Sequence, residues 1–171
     1  MRAHRFLMFV GAALGIAVLP AFAQTLTMVG KTSDWTTFAH DGPSGKLCFA
    51  LTQPQEQEPK AARRDPAYLY VSAWLKDAVK SEVSVKFGYT LKKGSEVVAT
   101  VDTTAFELFT VADRAFVEDA AQEQKLLDSM KKGAKLIIKA QSERGTATTD
   151  TYSLSGLGQA LQALAQGCPS E

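Results

Sequence analysis

Apolar residues recur with a period of two along most of this chain, and that restricts it to sheets that bury one face. In Tyr68-Leu69-Tyr70-Val71-Ser72-Ala73-Trp74, Leu69, Val71 and Ala73 share one side while aromatic and polar groups take the other, as in a half-buried strand. Val83, Val85 and Phe87 repeat the pattern. Lys92-Lys93-Gly94-Ser95 then supplies a turn, and Val97 to Val101 reads as the returning strand. Phe106, Leu108 and Phe109 form another apolar strand, while Thr36 to Ala39 and Leu47 to Leu51 give two short early ones. Leu136 to Ser142 and Thr146 to Leu154 flank Glu143-Arg144-Gly145, which predicts a hairpin with Gly145 at positive φ.

Two segments depart from this period. From Asp119 to Lys132 the residues favour helix, with Ala120, Ala121, Leu127 and Met130 on one face, Lys131 and Lys132 complementing the dipole end and Gly133 as a stop. Ser155 can cap a second helix in which Leu157, Ala160, Leu161, Leu164 and Ala165 form an apolar stripe before Gly167. Gly156 and Gly158 weaken its first turn, so its start can lie later. The stretch from Gln53 to Pro66 has three prolines and almost no apolar residue, which predicts a long exposed loop.

The first residues fix the compartment. Arg2 and Arg5 are followed by uncharged, apolar Phe6 to Leu19, then by Pro20 and Ala21-Phe22-Ala23, the pattern of an export signal cleaved after Ala23. That apolar run is shorter than a spanning helix, and no later stretch approaches the roughly 20 residues a bilayer demands. The expected product is soluble, periplasmic or secreted from a bacterium, and begins at Gln24. Removing residues 1–23 leaves 148 residues with 17 Lys plus Arg against 18 Asp plus Glu. That length suits one domain, and the balance gives no bias toward nucleic acid or anionic lipid.

Cys48 and Cys168 are the only cysteines. In an oxidising envelope the simplest reading is one disulfide between them, worth on the order of 4 to 5 kcal/mol in the chain-entropy model. Free or metal-binding thiols are the competing reading. A metal site is disfavoured because His40 is the only histidine after the signal and no Cys-x-x-Cys spacing exists.

Sequence chemistry beyond this is sparse. His40 sits beside Asp41-Gly42-Pro43 with no Gly-x-Ser-x-Gly elbow in the chain, so it reads as a turn residue rather than as the base of a serine hydrolase. Ser129-Met130-Lys131-Lys132 fits Ser-x-x-Lys, but neither Ser-Asp-Asn nor Lys-Thr-Gly accompanies it. Gly156-Leu157-Gly158 lacks the third glycine and the downstream acid of a dinucleotide loop. The carboxylates Glu118 and Asp119, or Glu56 and Glu58, read as solvated surface.

The end of the chain carries a resemblance. Ser153-Leu154-Ser155-Gly156 followed by Ala160-Leu161 is similar to the Ser-Leu-x-Gly-x-x-x-Ala-Leu ending of the invasion-associated locus B family. Ser142-x-Arg144-Gly145-Thr146 before Thr149-Asp150-Thr151-Tyr152 resembles one branch of it. Trp35, Lys46-x-Cys48 and Met130-Lys131-Lys132-Gly133 also fall where that family places its tryptophan, cysteine and Lys-Gly turn. The resemblance implies a periplasmic or secreted β-sandwich, linked in some pathogens to host-cell entry, with no settled catalytic site. Many members carry a cysteine just after the tryptophan and a further pair mid-chain. Those are missing here, so the family's disulfide pattern does not transfer.

These observations predict a mainly β, single-domain β-sandwich over residues 24–171, with two helices, the second at the C-terminus. The function they favour is a non-enzymatic envelope protein, without cofactor or metal, that binds an envelope or host protein or glycan. The partner-binding candidates are Arg63 and Arg64 in the long loop and Arg144 at the hairpin tip. Alternatives are an envelope hydrolase or carbohydrate-active protein built on distant carboxylates, and a periplasmic chaperone that meets clients at an exposed sheet edge.

Overall fold

A computed structural model describes residues 25–42, 45–74 and 79–167. The expected export signal at residues 1–23 and the expected disulfide partner Cys168 lie outside the described residues. Among the described residues, eleven antiparallel strands form one continuous sheet. They are β1 (Thr25–Thr32), β2 (Trp35–Gly42), β3 (Gly45–Thr52), β4 (Glu56–Glu58), β5 (Tyr68–Trp74), β6 (Val79–Lys86), β7 (Val97–Val101), β8 (Thr104–Val111), β9 (Arg114–Phe116), β10 (Lys135–Gln141) and β11 (Ala147–Ser153). Their order across the sheet is β1-β2-β3-β5-β6-β9-β8-β7-β10-β11-β4.

β8 explains how one sheet makes two layers. Its first five residues pair with β7 and its last three with β9, so the strand belongs to both halves and the sheet folds over along it. The inward positions of both halves then share one core. Trp35, Cys48, Ala50, Leu69, Val71, Val83 and Val85 come from one side and Val97, Ala99, Leu108, Leu136, Ile138 and Tyr152 from the other. The buried Trp35 indole N–H donates to the Ser153 carbonyl at 3.2 Å, which joins β2 to β11 across the layers. The period-two reading of the sequence therefore identifies the core face correctly: Leu69 and Val71 are almost fully buried and Ala73 is buried.

Both helices form. α1 (Ala120–Lys132) starts at Asp119, whose side chain accepts from the Gln122 N–H at 2.9 Å. It buries Leu126, Leu127 and Met130, while Ala120 and Ala121, expected on that face, are exposed. The stripe is narrower because Leu126 and Met130, one turn apart, suffice to reach the core. α2 (Leu157–Gly167) begins two residues after Ser155 and buries Leu157, Ala160 and Leu164. It packs on β1, β2 and β3, and the Thr37 hydroxyl donates to the Ala160 carbonyl at 3.3 Å.

Gly133 ends α1 as expected, with an extended backbone at φ −80°. Its requirement is space, since a Cβ there would lie 2.4 Å from Val101 Cγ1. Two features differ from the sequence expectation. The expected loop at Gln53 to Pro66 contains β4, which pairs with β11 through Thr149↔Glu58 and Thr151↔Glu56. An edge strand needs only backbone partners on one side, so a polar sequence can supply it. β1, which has little period-two burial to betray it, leaves Leu26 and Met28 exposed.

One carboxylate of α1 ties it to the sheet, close to a second on β6. Glu123 accepts from the Val83 backbone N–H at 2.7 Å. Burial raises the pKa of both Glu82 and Glu123; the Glu123 charge raises Glu82 further and Arg114 opposes it, while the Val83 N–H pulls Glu123 down. A raised folded value means that these groups contribute stability below the unfolded value near 4.5 and lose it as pH rises through the folded value. Glu82→Gln is accordingly expected to raise the melting temperature at about pH 7 and to flatten its rise toward about pH 5. Thermal unfolding across that window checks this, and an unaltered slope would refute it.

Candidate functional site

The chain between β4 and β5 is not free. It passes a cis Glu58–Pro59 bond and a turn closed by the Ala62 N–H on the Pro59 carbonyl. It then docks on the β6–β7 connection, where the Asp65 N–H donates to the Gly88 carbonyl at 3.0 Å. The β10–β11 hairpin tip is equally fixed. The Ser142 N–H donates to the Thr146 carbonyl, the Gly145 N–H to the Ser142 carbonyl, and the Glu143 N–H to the Thr90 carbonyl at 2.9 Å. Gly145 has the left-handed φ, +85°, that the hairpin was expected to need.

Between these two segments lies a cleft of about 610 Å³. Arg63, Arg64 and Asp65 form one wall, Ser142, Glu143, Arg144 and Thr146 the other, with Gly88, Tyr89, Thr90 and Thr148 between. All three arginines singled out in the sequence, Arg144 lying 80 and 81 positions after Arg64 and Arg63, therefore meet at one place. Arg63 and Arg144 are exposed. Arg64 has a different position: its side chain is 7% exposed and its guanidinium makes a two-pronged ion pair with Asp150, itself 1% exposed, with Nη1 3.0 Å from Oδ2 and Nη2 on Oδ1.

This pair anchors the wall. With its amide turned to satisfy both groups, Gln57 of β4 accepts from Arg64 Nε at 3.2 Å and Nη2 at 2.8 Å. The guanidinium lies 5.6 Å from the Tyr89 ring centre, a cation–π contact. The Tyr89 hydroxyl bonds Thr148 Oγ1. Burial raises the Asp150 carboxyl against the pull of Arg64, and it raises Tyr89 as well. Tyr152, beneath them, has a hydroxyl without a hydrogen-bond partner and is pushed far up by burial, with the Asp150 charge adding to it.

Asp150, Tyr89, Gly88 and Glu143 were not singled out from the sequence. Asp150 had a signal: Thr148, Asp150 and Tyr152 fall on the inward side of an alternating strand, and an inward carboxylate calls for a cation.

A second, half-buried cluster of side chains occupies the outer face of the sheet. Phe38 stacks on Phe49 at 5.4 Å, Phe49 meets Tyr70 at 6.1 Å, and Arg114 covers Tyr70 at 5.3 Å. Among the described residues no three groups are placed to hold a metal ion, and no helix is long and apolar enough to cross a membrane.

A continuous antiparallel sheet folded over one core, with two helices and a cleft of small-molecule size at its loop end, defines a mainly β protein. More particularly, the chain belongs to the invasion associated locus B (IalB) protein family, whose model matches residues 35–165. The crystal structure of invasion associated protein b from Bartonella henselae is similar in fold, with TM-score 0.54 and 15% identity over 78% of this chain and 92% of that one. Among curated proteins there is no match.

Proposed function

We propose that this protein is an exported, disulfide-braced, non-enzymatic envelope protein that binds a protein or glycan partner through the cleft. The carrying observation is that Arg63 and Arg144, both exposed, stand on opposite walls held by backbone hydrogen bonds, while the buried Arg64–Asp150 pair fixes one of those walls. Such pre-ordered walls spare a ligand the cost of organising them. The invasion-associated name of the Bartonella protein extends the reading to contact with a host surface. Export rests on Arg2, Arg5 and Ala21-Phe22-Ala23.

The Cys48–Cys168 bridge is supported by topology. Cys48 is buried in β3, and among the described residues no cysteine is free. α2 packs on β3 and ends one residue before Cys168. Non-reducing peptide mapping of the mature protein should recover the two joined fragments. Two alkylatable thiols in native protein would exclude the bridge.

The carboxyls Asp65 and Glu143 line the two walls of the cleft. A glycosidase of that kind needs one carboxyl held protonated by burial, and both are exposed, which favours binding over hydrolysis. The test uses immobilised mature protein and extracts of envelope and host-cell surface. Arg63→Ala/Arg144→Ala should reduce partner capture about tenfold, as expected for two exposed contacts near 1.4 kcal/mol in sum, with the melting temperature unchanged. Undiminished capture would overturn the cleft assignment, and release of reducing sugar or peptide from the captured partner would overturn the non-enzymatic one.

A second reading, capture of extended clients at a sheet edge, is favoured by β1, an edge strand with Leu26 57% and Met28 62% exposed. Loss of holdase activity in Met28→Lys with cleft-dependent capture intact would select it.

A further inference from the structure

The cleft also indicates what chemistry its ligand has, given the binding reading above. Its exposed charges cancel: Arg63 and Arg144 are matched by Asp65 and Glu143, and Arg64 is already neutralised by Asp150. A site for a polyanion would present an uncompensated cluster of arginines, and the carboxylates here would repel such a ligand. A site for a cationic peptide would need the reverse.

What the walls do present is a mixed set of donors and acceptors. Guanidinium N–H pairs only donate and carboxylate oxygens only accept, while the hydroxyls of Thr90, Ser142 and Thr146 do both. Vicinal hydroxyls on a sugar ring each donate and accept, so adjacent pairs of them match a carboxylate on one side and a guanidinium on the other. Tyr89, half-buried with its ring against the Arg64 guanidinium and Phe87, contributes the aromatic part of the lining. About 610 Å³ is within the range of sites that enclose small molecules, roughly 300 to 1,000 Å³, so a segment of a few sugar rings fits. Rigidity is consistent with this: an uncharged ligand gains no long-range steering, and fixed walls lower the ordering cost that its modest contacts must exceed.

We infer that the cleft between the Arg63–Asp65 segment and the Ser142–Thr146 hairpin tip is a binding site for a neutral, hydroxyl-rich glycan, with Glu143 and Arg144 contacting ring hydroxyls. The mature full-length protein is titrated calorimetrically with oligosaccharides derived from mannan, β-glucan and galactan, and in parallel with heparin and polygalacturonate, at low and high salt. Neutral oligosaccharide binding should change less than about twofold between the two salts, since screening acts on net charge. Glu143→Gln and Arg144→Ala should each weaken it at least about fivefold. Should either variant also lose melting temperature, backbone amide shifts of Thr90, Ser142 and Thr148 in the wild-type protein during the same titration locate the ligand instead, and shifts confined to other residues would overturn the inference. Binding of the acidic polymers alone, suppressed by salt, would also overturn it. Absence of any saccharide binding while Arg63/Arg144-dependent capture of a protein persists would remove the glycan and keep the binding cleft. Absence of both would remove the cleft as a site.

Discussion

Arg64→Ala is expected to destabilise the protein by about 3 to 5 kcal/mol, the usual cost of leaving one member of a buried ion pair alone. Asp150 is 1% exposed on the inward face of β11 and Arg64 makes both of the hydrogen bonds to its carboxylate oxygens. Removing the guanidinium leaves a charge that burial already disfavours. In urea this corresponds to a midpoint lower by about 1.5 to 2.5 M at a slope of about 2 kcal/mol/M. The deficit should also depend on pH with a definite sign. In the variant the folded value of Asp150 rises further above its unfolded value, so the penalty is present at neutral pH and shrinks as pH falls toward the unfolded value. Arg64→Met/Asp150→Leu, which removes both charges, should recover much of the loss. A single variant within about 1 kcal/mol of wild type would mean that solvent reaches Asp150 and that the pair does not hold the wall.

The sequence discloses those parts of the molecule in which each residue's neighbour along the chain decides its environment. Leu69-x-Val71-x-Ala73 and Val83-x-Val85-x-Phe87 announce their inward sides because side chains alternate across a strand whatever it pairs with. Asp119, Leu127 and Met130 mark α1 by helical spacing for the same reason. β4 could not be read this way. Glu56, Gln57 and Glu58 have no apolar side, and they become a strand only because β11 offers an unpaired edge. Nor could the fold-over at β8, since nothing local tells Leu108 and Phe109 that they serve different partners. The cleft lies between these cases. Arg63, Arg64 and Arg144 were recognisable as exposed-looking charges in loops. That Arg64 turns inward while the other two stay in water depends on Asp150, which the chain brings back 86 residues later.

Gly88 is where the same local chemistry and the surrounding fold can be separated by experiment. Gly88 and Gly94 have nearly identical left-handed backbones, φ +72° and +73°. Alanine at either position carries the conformational cost of that region, about 1 to 2 kcal/mol. At Gly94 nothing lies within 4 Å of where a Cβ would be, so Gly94→Ala should cost no more than that. At Gly88 the Cβ would lie 1.9 Å from the Asp65 carbonyl oxygen and 2.7 Å from its carbon. Those are backbone atoms and cannot turn aside as a flexible side chain would. The chain at Asp65 must move away, which breaks the Asp65 N–H bond to the Gly88 carbonyl, worth about 1 kcal/mol, and pulls on Arg64 one residue earlier. Gly88→Ala is therefore expected to cost about 3 to 5 kcal/mol, with the upper end reached if the Arg64–Asp150 pair is disturbed. It should also abolish partner capture at temperatures where the protein is still folded, because the wall carrying Arg63 is displaced. Chemical denaturation of the two variants side by side, together with the capture assay, decides the matter. Equal losses at Gly88 and Gly94 would mean that the Asp65 segment yields freely, and the cleft would then lack the fixed wall on which the proposed binding role depends.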